Sequence, residues 1–433
     1  MTKDLHRWSA VRLLHALANR GLTALALANA LIERTERLDG ELRAWAWFDA
    51  TAVRRAARTA DRRRGGGRLH GLPLAVKDII DTAGIPTAYG STIHAGHVPH
   101  ADAGCVSLAR AAGAWVLGKT VSTEFANMTA GPTRNPHHAG HTPGGSSSGS
   151  AAAVAAGLAP LALGTQTAGS IIRPASYCGI VGYKPSPRRI PRTGVKANSD
   201  TLDEVGVLAR SVDDVALLAR VLSGQADSDL PGRRAFAPAI GVTLTSLASQ
   251  ASADMVAALA AGATRLSAAG AAVRDAAWPT AFDTLFDAQR VVQSFETARA
   301  LAPEWQYRRE QLSAALAAFL DDGRRIDGSV YADALAAAGR ARAALETLFE
   351  SFDVLLAPAA TGAAPQGLSS TGDPLFSRPW QLLGCPCVSL PAARDALGLP
   401  LGLQVIARPG EDEQLLAAAA WIEARLEPIA LTR

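Results

Sequence analysis

The sequence predicts an α/β layered fold on three observations. Helical runs alternate with short apolar runs bounded by turn residues through the N-terminal half. At 433 residues, with 48% hydrophobic and 19% charged side chains, the chain is long and apolar enough to bury a large core. After a long alanine-rich helical stretch, strand-like segments return near the C-terminus, so a sheet is expected to be completed there.

Each element has a local reason. Thr23 caps a helical run from Ala24 to Leu38, and Asp39-Gly40 is expected to end it. Arg62-Arg63-Arg64 followed by Gly65-Gly66-Gly67 reads as a solvated connector. GLPLAVKDII, Gly71 to Ile80, reads as a buried strand carrying one lysine, Lys77. Cys105 to Gly113 is helical in pattern, and Ala114 to Gly118 is strand-like. From Gln225 to Leu348 the chain is alanine-rich with helical periodicity and little strand signal. FDVLLAPA, CPCVSLPA and LPLGLQVIA then read as strands, and Glu411 to Leu426 as a closing helix. On this reading 1–433 is a single domain: a catalytic core over 60–225, a helical subdomain or layer over 225–345, and a C-terminal return to the sheet over 346–433.

Composition excludes several classes. The net charge is +4, from 43 basic and 39 acidic side chains, and predicts no nucleic-acid partner. The 4 cysteines form neither a disulfide framework nor a metal-spaced pair, which fits a reducing cytoplasm. The N-terminus lacks a secretory apolar region. The mild apolar stretch Ala151 to Gly164 falls short of the ~20 residues that span a bilayer, so no membrane span is expected.

Three short patterns compete for the chemistry. Gly113 to Thr120, GAWVLGKT, satisfies G-x-x-x-x-G-K-[ST] and would make the chain a P-loop-like nucleotide-binding protein. A phosphate cradle needs a preceding strand and small residues between the glycines, whereas here a helix precedes and Trp115, Val116 and Leu117 fill the interval. A buried strand is the expected reading. GSSSG, Gly145 to Gly149, matches a nucleophile elbow centred on Ser147, but that fold places its histidine downstream and all 9 histidines lie at or before His141. The histidines at 94, 97 and 100 and at 137, 138 and 141 could supply imidazole ligands, yet Gly96 and Pro99 break any helix that would align the first group. Exposed loop histidines and no metal are expected.

What remains is the glycine- and serine-rich segment from Gly140 to Pro185. Its small residues concentrate at Gly144 to Ser150 and Ala168 to Ser170, with an apolar helix and strand between, so the two loops could be brought together. Small residues permit close backbone approach to a ligand, and consecutive N–H groups at a turn can donate to a developing oxyanion. A flexible linker would not be followed by an Ala/Val helix and an apolar strand.

These residues resemble the amidase signature family. Its core motif, GGSSGGSA followed by GTDTGGSIR-x-PA-x-x-CG-x-x-G-x-KP, reads here GGSSSGSA and GTQTAGSIIRPASYCGIVGYKP. HGLPLAVKDIIDTAG is similar to the family's lysine-bearing strand, LGKTVSTEFA and RNPHH to the approach to the core, and GLPLGLQVIARPGEDEQLL to the C-terminal sheet; the likeness is weakest over about 225–345. The resemblance implies a central mixed β-sheet sandwiched between α-helices. It implies a Ser-cisSer-Lys triad of Ser170 as nucleophile, Ser146 as bridging cis-serine and Lys77 as base, the serines 24 residues apart. Such a lysine must be neutral to accept a proton, and an apolar strand would favour that by desolvation. In a strand Asp78 points to the opposite face and need not hold Lys77 charged. The backbone N–H groups of Thr167, Ala168, Gly169 and Ser170 resemble the family's oxyanion hole, where one donor is worth about 3 to 4 kcal/mol of barrier. Gly169 is expected to be needed for backbone geometry.

Two departures stand out. The family's Asp four residues before the nucleophile is Gln166, and its Arg two residues after is Ile172, with Arg173 one place on. Losing both ends of an ion pair together strands no charge. The expected activity is that of a serine amidohydrolase (linear amides, EC 3.5.1.-, with 3.5.1.4 the expected class), converting a small carboxamide to carboxylate plus ammonia or amine through an acyl-enzyme, with no cofactor. Alternatives are the glutaminase component of a tRNA-dependent amidotransferase or a hydrolase of urea-derived amides such as allophanate. Met128 and Thr129 are expected to contribute to the substrate pocket. Partners reduce to the substrate and, in one reading, a second copy of the chain.

Overall fold

The computed structural model describes residues 4–63, 66–225 and 237–426. Its centre is one sheet of 11 strands: β1 (Trp45–Trp47), β2 (Pro73–Lys77), β3 (Trp115–Thr120), β4 (Leu161–Gln166), β5 (Val181–Lys184), β6 (Glu204–Ala209), β7 (Ala239–Val242), β8 (Ala272–Asp275), β9 (Val354–Pro358), β10 (Cys387–Arg394) and β11 (Pro400–Ile406). Across the sheet they run β1-β3-β2-β4-β6-β5-β10-β11-β9-β7-β8. The sheet is mixed. β2 is parallel to β3 and to β4, β7 is parallel to β8 and to β9, and the remaining pairs are antiparallel. Every residue of β2, β3, β4, β5 and β6 is buried, because helices cover both faces and leave the strands as continuous apolar runs.

Helix signals in the sequence are met, with shifted ends. Ser9, Thr23, Asp49, Ser211, Ser252, Ser313 and Asp327 each cap a helix through a side-chain oxygen. The helix opened by Thr23 runs Ala24–Leu42, past the expected stop at Asp39-Gly40. Gly40 sits where a Cβ would meet nothing, so it is simply tolerated, and the chain turns instead at Arg43 in the left-handed region while Asp39 Oδ1 accepts from Ala44 N at 2.7 Å.

The segment expected to be helical throughout also holds strands. Alongside Ala253–Ala268, Leu285–Ala300, Ala302–Arg308, Ala314–Arg325 and Gly328–Glu350 it contributes β7 and β8, which extend the sheet at one edge. Each has only 4 residues, and β8 is largely exposed, so neither carries a long apolar run or a clear alternation. Of the arginine/glycine connector, Arg62 closes the helix Ala50–Arg62 and Arg63 donates to Arg110 O and Ala111 O, whereas Arg64 and Gly65 lie outside the described residues. No helix among the described residues is long and apolar enough to cross a membrane.

The competing patterns resolve structurally. Gly113 to Thr120 is a turn followed by β3, and Lys119 is fully buried with its Nζ 2.6 Å from Ile80 O, 2.6 Å from Thr87 Oγ1 and 3.7 Å from Asp78 Oδ1. It pins a turn rather than facing a ligand. Ser147 is buried, its hydroxyl against the backbone of Thr165. The histidines are more varied than expected. His97 and His100 are exposed, His94 bonds Glu304 at 3.1 Å, and His141 is buried with Nδ1 2.8 Å from Ala364 O, because its loop is covered by the segment around 364–366. Among the described residues no three His, Cys, Asp or Glu side chains gather as a metal site.

Candidate active site

Lys77 is the last residue of β2, and the parallel neighbour β4 ends close by at Thr165 and Gln166. The Lys77 side chain is fully buried. Its Nζ lies 2.7 Å from Ser146 Oγ, 2.7 Å from Thr165 Oγ1 and 3.5 Å from Thr165 O. Burial drives the Lys77 ammonium well below the ordinary lysine range, while Asp203 pulls the other way. Asp78 faces Lys119 instead, as alternation along the chain requires.

Ser146 follows a cis peptide bond with Gly145, and its loop leads into the helix Ser148–Ala155. Glycine is required at the start of that helix. A Cβ at Gly149 would stand 2.3 Å from both Ala44 O and Val121 N, which are backbone atoms that cannot yield. The two small-residue loops do meet, since Ser147 N donates to Ser170 O at 3.3 Å.

Thr167, Ala168, Gly169 and Ser170 form part of the wall of a cavity of about 840 Å³. Their backbone N–H groups make no hydrogen bond among the described residues. The next two, of Ile171 and Ile172, donate to Gln166 Oε1 at 2.9 and 3.1 Å. Gln166 therefore supplies the acceptor that an aspartate could supply, without charge, and its amide donates to Gln381 Oε1. Ile172 is fully buried in the apolar core, so with Gln166 neither of the two positions that depart from the family motif carries a charge. Gly169 is needed for close approach rather than dihedral freedom: its φ is not positive, and a Cβ would come 2.7 Å from Pro374 Cβ.

Met128 and Thr129 line the same cavity. Met128 is 57% exposed at its mouth, and the Thr129 hydroxyl is 2.6 Å from Ser313 Oγ. Sequence reasoning missed the supporting residues. Asp203, buried, accepts from Thr167 Oγ1 at 2.7 Å and from the backbone N–H of Asn198 and Ser199 at 2.8 and 2.9 Å, and burial pushes its carboxyl up from the ordinary range. Gln289 and Thr297, on the helix Leu285–Ala300, reach Thr167 O and Asn198 Oδ1. Arg173 donates through Nη2 to Gly145 O at 2.7 Å. Only the arginine carried a signal, its place three residues after Ser170.

This fold, with a buried lysine amine against a serine and a small-residue loop in the wall of a cavity, defines a hydrolase of amide C–N bonds. The Amidase family model matches residues 26–416, and the chain belongs to that family, the amidase signature enzymes. It is 34% identical to a glutamyl-tRNA(Gln) amidotransferase chain of Anaeromyxobacter sp. (strain K), across 95% of each chain. Among solved structures it is similar to an amidase at 32% identity and TM-score 0.90, covering 97% of this chain and 100% of that one. It is also similar to the native peptide amidase of Stenotrophomonas maltophilia, at 29% identity and TM-score 0.82, covering 98% and 99%.

Proposed function

We propose that the chain hydrolyses a linear carboxamide through an acyl-enzyme on Ser170, the observation that carries this reading being the 2.7 Å contact of a buried Lys77 Nζ with Ser146 Oγ. A neutral amine has two N–H donors and one lone pair. Thr165 Oγ1 and Thr165 O can accept both donors, which aims the lone pair at the Ser146 hydroxyl. Ser146 donates its proton to Lys77 and accepts that of Ser170, whose oxygen attacks the substrate carbonyl. The carbonyl oxygen becomes an oxyanion that the N–H groups of Thr167 to Ser170 stabilise. Collapse breaks the C–N bond, Ser146 returns a proton to the leaving amine or ammonia, and water cleaves the ester to release the carboxylate. Each step uses the same proton relay in one direction or the other.

Ser170→Ala should abolish turnover with an unchanged melting temperature. A serine-directed fluorophosphonate should add its mass to the peptide holding Ser170, and labelling confined to Ser147 would overturn the assignment. Hydrolysis of a simple amide without ATP would put the chain with amidases of the EC 3.5.1.4 type. A second reading, the glutaminase component of a tRNA-dependent amidotransferase, is favoured by the end-to-end likeness to the Anaeromyxobacter protein. Glutamine hydrolysis with transfer of ammonia only in the presence of partner chains would select it. Both readings suit a reducing cytoplasm, as do the four buried free thiols, and self-association is testable by light scattering.

A further inference from the structure

A chain of hydrogen bonds runs from a buried charge to the loop that carries Ser170. Thr167 O accepts from Gln289 Nε2 at 3.1 Å, and the other end of that side-chain amide, Gln289 Oε1, accepts from Arg378 Nη1. Gln289 is fully buried on the helix Leu285–Ala300, and Arg378 opens the helix Arg378–Leu383 packed against it. A guanidinium only donates and a backbone carbonyl only accepts, so the glutamine amide between them can stand in one orientation alone. Burial lowers the Arg378 guanidinium to about 10, with Asp373 pulling the other way, so it stays a cation at neutral pH.

The peptide that receives this bond is the one whose N–H belongs to Ala168. It is trans, so its carbonyl and its N–H point in opposite directions, and Gln289 stands behind the carbonyl. The Ala168 N–H on the other side makes no hydrogen bond among the described residues, and Ala168 lines the cavity. A carbonyl that accepts a hydrogen bond polarises its amide and makes the N–H a stronger donor, and successive links reinforce one another inside a protein. Resting on the amide-hydrolase reading, we infer that Arg378, acting through Gln289, is a positioning residue that polarises the Thr167–Ala168 peptide and fixes its N–H for the oxyanion formed when Ser170 attacks. The same helix braces the far end of the loop. Gln381, three residues after Arg378 and so on the same face, accepts from Gln166 Nε2 at 2.9 Å, while Gln166 Oε1 takes the N–H groups of Ile171 and Ile172. One helix of 6 residues thus clamps the loop before and after Ser170, and only the bridge to Thr167 starts from a charge.

The test loads the serine with an ester, which frees it from the identity of the natural amide. Nitrophenyl cinnamate should acylate Ser170, and an isotope label at its carbonyl lets difference infrared spectroscopy read how strongly the oxyanion site holds that oxygen. One oxyanion donor is worth about 100- to 1,000-fold in rate, and each polarising link adds roughly 10–30% to a bond. Arg378→Met, which removes one link, should therefore slow acylation about 2- to 8-fold, and Gln289→Met, which removes both, about 3- to 60-fold. The ester concentration at half-saturation should not change, and the carbonyl band should move to higher frequency in both variants. Arg378→Lys should recover the rate, and Arg378→Met should add nothing in a chain already carrying Gln289→Met. Gln289→Glu keeps an acceptor for Arg378 but loses the donor to Thr167, so it should move the band as Gln289→Met does, even if Arg378→Met fails to fold. A band that stays in place in the folded variants overturns the inference, as does an equal loss from Arg378→Met with and without Gln289. A chain acylated at Ser170 whose band never moves leaves the amide-hydrolase reading standing. A chain that takes no acyl group at Ser170 loses that reading, and this inference with it.

Discussion

Replacing Thr165 by valine tests how Lys77 is kept ready to accept a proton. The change keeps shape and burial but removes the hydroxyl 2.7 Å from Nζ, leaving Thr165 O at 3.5 Å as the remaining backbone acceptor. One N–H of the neutral amine then has no good acceptor in a fully buried site. An unmet buried donor costs about 1–3 kcal/mol. The amine relieves the cost by turning a donor toward Ser146 Oγ, which points the lone pair away from the proton it should receive. If about 2 kcal/mol of this appears in the barrier, kcat falls roughly 30-fold. The assay is kcat and kcat/KM against pH on one amide substrate, with thermal melting as a control for folding. Thr165→Ser should recover most of the loss. A valine variant within twofold of wild type across the pH range would refute the argument that Thr165 orients the amine.

Activity should rise with pH along a limb well below the 10.5 of an ordinary lysine, because burial lowers Lys77 and only its neutral form accepts a proton; the apparent pKa belongs to the coupled lysine and serines. Asp203→Asn should move that limb to lower pH, since the negative charge now favours protonated Lys77, and should lower kcat by loosening Thr167; an unmoved limb would limit Asp203 to a structural part. Lys119→Met should lower the melting temperature, by about 3–5 kcal/mol in stability if Asp78 is left charged and unpaired, and no specific ATP binding should be found by calorimetry in either protein. Gly149→Ala should destabilise by about 1–3 kcal/mol or more in denaturant titrations, because its Cβ would overlap backbone atoms.

Much of this protein is legible locally. The apolar run around Lys77 and the glycine- and serine-dense loops at Gly144 to Ser150 and Ala168 to Ser170 are visible residue by residue, and the lack of any histidine after His141 argues against a nucleophile elbow. A lysine-based serine chemistry is what their resemblance to the amidase signature motif implies. Local chemistry also reads the helix caps, since a Ser, Thr or Asp ahead of a periodic run satisfies its first N–H groups wherever the helix packs. The limits are local too: nothing near Gly40 said that the helix would continue, and strands as short as β7 and β8 have no period to detect.

What only the tertiary structure decided is which groups meet. Lys77 finds Ser146 across 69 residues and Thr165 across 88, Asp203 reaches Thr167 across 36, and Gln289 comes back to Thr167 across 122. Periodicity tells which face of an element is buried but not which element will cover it, and a hydrogen bond between distant side chains exists only once the packing has brought them within reach. The sequence by itself therefore determined the burial of Lys77 and the close backbone approach of the two small-residue loops, and through its resemblance to the amidase signature motif it nominated Lys77, Ser146 and Ser170 as the reacting groups. The orientation of the amine by Thr165, the anchoring of the loop by Asp203 and the bracing of Thr167 by Gln289 arise from the order in which the strands are laid side by side and the helices over them.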